Sequence, residues 1–236
     1  MADGIYVTMC GAAARSEQLE SVADNLANSL TPGFKAARPA FEAFLAASGA
    51  SDKTYPAAVA TGFDLRAGPA SRTDGPLDII PEGTAFIAVQ TATGEKAYTR
   101  DGRLSVDDQQ RLVQNGHPVL DSGGSAISVP PGAPPRIADD GSVMVGTTNV
   151  GQIGLFNLVG PVDRMGQSML KPGQGGRAEA VATPSVRVGE VEMGNSTAIE
   201  GMVLLISAQR HFDASMQALQ TYRSLDQRSS QVATVK

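Results

Sequence analysis

The sequence predicts an α+β fold, with long N- and C-terminal helices and a β-rich middle. Two observations carry that reading. The first is an apolar stripe at each end, with alternating spacings of four and three. Near the start it is Ile5, Met9, Ala12, Ser16, Leu19, Ala23 and Leu26, and near the end Met202, Leu205, Gln209, Phe212, Met216 and Leu219. Such spacing lays one narrow seam along a helix, the geometry of coiled-coil packing. Neither stripe is able to bury itself alone, so each needs the other or a neighbouring subunit. The second observation is that short apolar runs punctuated by Gly, Pro and Asn fill the space between. The predicted organisation is a discontinuous helical unit (1–34 plus 198–236), a connector (35–75) and a β-rich outer domain (76–197).

Asp3 is placed to cap the first helix, because its carboxylate can accept from an unpaired first-turn amide. That helix is expected to run to about Asn28, where Thr31-Pro32-Gly33 turns the chain. Residues 34–45 keep only a sparse apolar pattern (Phe34, Phe41, Phe44, Leu45), and 46–69 show little periodicity beyond a short Phe63–Leu65 strand.

From Pro76 the pattern changes. Leu77–Ile80 and Ala85–Gln90 are apolar runs separated by Pro81-Glu82-Gly83. Lys96–Arg100, Leu104–Val106, Arg111–Gln114 and Pro118–Leu120 follow, divided by Asp101-Gly102, Asp107–Gln110 and Asn115-Gly116. Asp-Gly and Asn-Gly pairs supply the positive φ that tight hairpins require. Arg136–Ala138, Val143–Val145, Gln152–Val159 and Val186–Met193 read as further strands, and Lys171–Arg177 as a Gly-rich mobile loop. Thr197 and Glu200 have capping-box spacing at the start of the closing helix. A run to about Val232 makes it roughly 50 Å long at 1.5 Å per residue, an extended arm.

Composition narrows the function classes. Aromatic residues make up 5% and Trp is absent, so the core is built from Val, Ile, Leu and Ala. A net charge of −5 gives no case for nucleic-acid binding. Cys10 is the only cysteine, which excludes an intramolecular disulfide. No stretch reaches the roughly 18 apolar residues of a membrane span, so direct membrane insertion is not expected. The opening Met-Ala-Asp-Gly lacks the features of a secretory signal, and composition alone points to the cytoplasm. His117 and His211 share no evident site, and no P-loop, dinucleotide fingerprint or metal-ligand cluster is present. No enzyme activity, cofactor or metal is expected.

Several stretches together resemble the bacterial flagellar rod and hook proteins. The most specific is Val22-Ala23-Asp24-Asn25-Leu26-Ala27-Asn28-Ser29-Leu30-Thr31-Pro32-Gly33-Phe34-Lys35. Gly75–Ile79, Phe86–Val89, Tyr98-Thr99-Arg100-Asp101-Gly102, Leu112-Val113, Gly116 and Pro118–Leu120 resemble the family's β domain. Glu200–Val203, Ile206, Gln209-Arg210 and Phe212 resemble its closing helix. Length and the Asp3-Gly4-Ile5-Tyr6 opening favour a proximal-rod member over its distal-rod relative. Ala85 and Gln110 stand where the family commonly has Gly, and Asp24 where a second Asn is frequent, which bears on local turn geometry.

The resemblance implies terminal helices paired as a coiled-coil-like inner layer of a hollow axial tube, with the β-rich body outside. It implies an assembly interface at Ile5, Met9, Leu19, Asn25, Leu26, Asn28, Pro32, Gly33 and Phe34. From the other end Met202, Leu205, Arg210, Phe212, Met216 and Leu219 would join it. The implied partners are other subunits of the proximal and distal rod and the flagellar type III export apparatus. Passage through that apparatus needs no cleaved signal peptide, so the implied location is the periplasm-spanning rod of the basal body, not the cytoplasm. The residues taken alone leave simpler readings for several of these positions: helix caps for Asn25 and Asn28, and helix-seam packing for Phe212 and Met216. Alternatives in function are another flagellar axial subunit, or a β-rich oligomeric adhesin or binding module, which the low aromatic content disfavours.

Overall fold

A computed structural model describes residues 2–45 and 54–233. The chain divides into two compact units. The first comprises 1–27, 37–62 and 197–236, and the second 28–36 and 63–196.

In the first unit, α1 (Ala2–Ala27) packs against α2 (Ala198–Ala233) and against β1 (Ala37–Leu45), which pairs with β2 (Thr54–Phe63). This two-stranded ribbon lies where only a sparse pattern and a Phe63–Leu65 strand were expected. Its alternation is hidden by small residues such as Ala57, Ala58 and Ala60. The helix begins at Ala2, so Asp3 lies inside it and not at its cap.

The buried line on α2 is also shifted from the predicted stripe. It runs through Gly201, Leu205, Ala208, Phe212, Met216 and Leu219, with Gly201, Ala208 and Leu219 fully buried. Met202 and Gln209 are exposed. Small residues decide this. A Cβ on Gly201 would sit 3.2 Å from Leu26 Cδ1, so the glycine admits close approach of α1. On α1, Met9 and Ala23 are exposed, whereas Ala12, Ala14 and Val22 are buried. Ala12 and Ala14 lie about 200° apart around the helix, as fits a helix covered by both α2 and β1.

The second unit is built on a six-stranded antiparallel sheet, ordered β14-β15-β6-β5-β13-β16. Its strands are β5 (Ala85–Gln90), β6 (Lys96–Thr99), β13 (Leu155–Val159), β14 (Val162–Arg164), β15 (Met169–Pro172) and β16 (Arg177–Ala180). Side chains alternate between the faces of a strand, and on β5 both faces are covered. Ala85, Ile87 and Val89 enter a large aliphatic core with Leu112, Val119, Val143 and Ile153. Phe86 and Ala88 face a smaller core with Tyr98, Leu120 and Leu170.

Two three-stranded sheets flank this one. They are β7 (Leu104–Val106), β8 (Leu112–Gln114) and β9 (His117–Pro118), and β10 (Pro135–Ile137), β11 (Ser142–Val145) and β12 (Thr148–Gln152). Two short ribbons complete the unit: β3 (Ala70–Arg72) with β18 (Glu190–Glu192), and β4 (Ile79–Pro81) with β17 (Val186–Val188).

Most predicted strands are found, but β3, β12 and β14 to β16 had too short or too polar a pattern to announce themselves. The Gly-rich stretch is a short turn between two strands: Lys171 and Pro172 complete β15, 173–176 turn the chain, and Arg177 opens β16. The predicted Val186–Met193 strand is broken at Gly189, whose φ of 79° turns the chain from one ribbon to the next. Gln110 has a φ of 59°, a left-handed turn without the glycine that normally favours it.

Candidate assembly surface and the root of the terminal segments

The Asn25–Lys35 stretch resolves into separate tasks. Asn25 uses its side-chain amide as a backbone mimic: Nδ2 donates to Ala37 O at 2.8 Å, and Oδ1 accepts from Ala37 N at 2.8 Å. It thereby fixes the start of β1. Asn28 shapes the turn, its carbonyl accepting from Thr31 N at 3.0 Å and its Oδ1 from the Thr31 hydroxyl at 3.3 Å. Pro32 is half-buried in that turn. Gly33 has a φ of 68°, and a Cβ there would meet Asp101 N at 2.1 Å. The Gly33 and Arg100-Asp101 stretches, far apart in sequence, are therefore in backbone contact.

Phe34 is fully buried. The Arg164 guanidinium stacks over its ring at 4.5 Å and over Phe63 at 5.0 Å, and donates to Lys35 O at 2.6 Å. Gly33 and Phe34, expected at an assembly interface, are thus committed to the interior of their own chain.

Next to them lies a buried ion cluster. Lys35 Nζ donates to Glu192 Oε1 at 2.6 Å and to Arg66 O at 2.6 Å. Arg100 Nε donates to Glu192 Oε2 at 2.8 Å. Gly68 N completes the carboxylate's shell at 3.0 Å. The side chains of Lys35, Arg100 and Glu192 are all at most 3% exposed. Burial pushes the Glu192 carboxyl up, but Arg100 and Lys35 outweigh it and hold the group below the usual carboxylate range. Burial lowers the Lys35 ammonium below its ordinary value; Glu192 offsets this only in part, and the nearby Arg100 charge adds to the lowering. Sequence reasoning missed Glu192, Arg100, Arg164 and Asn195. The available signal was a charged residue inside an apolar strand, Val191-Glu192-Met193.

The predicted α2 positions fall into two groups. Leu205, Phe212, Met216 and Leu219 lie on the buried or half-buried side. Met202 and Arg210 belong to an uncovered face with Ile199, Val203 and Ile206, at the helical spacing 199, 202, 203, 206, 210. Ile199 is 81% exposed, Val203 64% and Ile206 54%. Arg210 lines a shallow depression with Val203, Ile206, Ser207 and His211, and has no ion-pair partner among the described residues. On α1, Leu19 and Leu26 are half-buried, and the Ile5 side chain lies outside the described set. Among the described residues no cluster of potential metal ligands occurs, and no helix is long and apolar enough to cross a membrane.

Two terminal helices in contact, an exposed apolar face on one of them and a β-rich unit fit a structural class of protein. Residues 5–35 match the flagella basal body rod protein family, 81–145 the flagellar hook protein FlgE/F/G D1 domain and 187–232 the flagellar basal body rod FlgEFG protein C-terminal domain. The flagellar basal-body rod protein FlgF of Mesorhizobium japonicum is 33% identical over 90% of each chain. FlgF of Escherichia coli is 33% identical over all of both chains. The rod protein FlgG of Buchnera aphidicola (subspecies Schizaphis graminum) is 28% identical over 98% of this chain and 100% of its own. The chain belongs to the flagellar basal-body rod FlgE/F/G family, whose members are structural subunits and not enzymes. Its place is accordingly the flagellar basal body.

Proposed function

We propose that this chain is a rod subunit of the proximal type, which polymerises through its terminal helices into the hollow axial shaft that motility requires. The observation that carries the reading is the uncovered apolar face of α2. Full burial of a large aliphatic side chain contributes about 1.5–3 kcal/mol. Four exposed ones at Ile199, Met202, Val203 and Ile206 leave several kcal/mol to be gained by covering them. Head-to-tail contacts of this kind, repeated, generate a helical filament instead of a closed ring.

In the assembled shaft the helices form a coiled-coil-like inner layer and the β body faces outward. Arg210, at the end of the apolar face, pairs with a neighbouring subunit. The partners are the other proximal and distal rod subunits, reached by export through the flagellar type III apparatus without a cleaved signal. The higher identity to FlgF than to the FlgG relative supports the proximal assignment.

The test places a charge on the face in otherwise intact protein. Ile206→Asp is expected to leave the monomer folded, because the side chain is 54% exposed, yet to abolish rod assembly and motility in a rod-null strain. Wild-type swimming by that strain would sink the reading.

A further inference from the structure

The chain passes between its two units at 27–28, 36–37, 62–63 and 196–197. On the β-rich side, the segments next to the last three passages converge on one set of contacts. Lys35 and Ala36 come from the first of these segments. Asp64 and Arg66 come from the second, and Glu192 and Asn195 from the third. We infer that Glu192 is the pivot of a charge clamp coupling the roots of both terminal segments, so that loosening the strand before α2 also frees the Gly33–Ala36 stretch after α1.

Glu192 bonds to the N-terminal root twice. Its carbonyl accepts from Gly33 N at 2.8 Å, and its carboxylate holds Lys35 at 2.6 Å. Three residues on, Asn195 Oδ1 accepts from Ala36 N at 2.8 Å, while its Nδ2 donates to Asp64 O at 2.6 Å. The carboxylate also grips the second segment through Gly68 N, and Lys35 grips it through Arg66 O. Arg100 anchors the assembly to the sheet, donating to Glu192 and to the carbonyls of Gly83 and Ala85. One carboxylate between two cations leaves the cluster with a single net positive charge. Removing the carboxylate leaves Lys35 and Arg100 buried without the one anion that both contact, whereas removing Lys35 leaves a balanced Glu192–Arg100 pair. Breaking a buried ionic set from the minority side is therefore the more disruptive change.

Hydrogen exchange on the full chain tests the coupling. Glu192→Gln conserves shape and is expected to raise exchange at least tenfold at 33–36 and 64–68, with β5, β6 and β13 changing less than twofold. Unchanged exchange at 33–36, or an equal rise throughout the sheet, overturns the inference. Lys35→Met keeps the test decisive if the first variant does not fold. A rise at both 33–36 and 192–195 supports the clamp, and a rise confined to 33–36 overturns it. Equal effects of the two variants would indicate packing and not charge, and would overturn it as well.

Discussion

Gly33 shows how one residue ties local conformation to long-range packing. Its φ of 68° favours glycine, and the backbone of Asp101 occupies the space a Cβ needs. Because backbone cannot swing aside as a flexible side chain does, Gly33→Ala combines left-handed strain of roughly 1–2 kcal/mol with an unrelieved clash. A loss of about 3 kcal/mol or more is expected, at or beyond the upper end of ordinary single substitutions. A shift in the urea midpoint at constant slope measures it.

Glu192 makes a prediction in pH. Its folded pKa lies below the ordinary 4.5, so it binds fewer protons folded than unfolded in that interval. Its contribution is full above the ordinary carboxylate range and is lost as pH falls through the lower folded value. Lys35 acts at the other end: its folded pKa lies below the ordinary 10.5, so stability rises with pH through that alkaline window. The groups facing the pair are Arg100, beside both, and Asp64, beside Lys35. In Glu192→Gln the acid-side loss should flatten relative to wild type, read from urea midpoints between neutral and acid pH. An unchanged acid slope would show that other carboxylates carry it.

At the scale of the element, α2 carries opposed demands on its two sides. Gly201 and Ala208 are small because the side toward α1 must allow close approach. Ala208 is 2% exposed, and Ala208→Leu adds volume with nowhere to place it, at a cost of about 1–3 kcal/mol. Ile199→Ser, on the opposite side, should change monomer stability by less than about 0.5 kcal/mol and still weaken assembly. Thermal unfolding of the monomers and counts of purified basal bodies separate the two effects. If Ile199→Ser unfolds the monomer as Ala208→Leu does, the exposed side has a covering role within the chain.

On the scale of the whole molecule, the unit boundaries predict where the chain tolerates truncation. Residues 28–36 belong to the β-rich unit, and they bring the buried Phe34 and Lys35. Deleting 1–27 should leave that unit cooperatively folded, whereas deleting 1–36 removes a wholly buried Phe at about 3–5 kcal/mol and Lys35, one of the ion cluster's two cations. Circular dichroism and urea unfolding of the two truncations distinguish these outcomes. Equal stability would mean the Thr31–Lys35 turn is not integral to the body.

Much of the architecture was legible in the residues because local chemistry dictates it. The strong apolar runs at Ala85–Gln90 and Leu112–Gln114 became strands, and the long closing helix began beside Thr197. The linear match from Val22 to Lys35 also sufficed to suggest the family. Weak strands such as β14 and β16 were not legible, since a three- or four-residue edge takes its stability from its neighbours in the sheet. The facing of α1 and α2 was not legible either. A repeat of four and three identifies an apolar stripe, but which side is buried depends on where Gly201, Ala208 and β1 allow another element to approach. The ion cluster belonged wholly to tertiary structure, because Lys35, Arg100 and Glu192 stand far apart in the chain. A buried charge declares its partner only when the fold has removed the water around it.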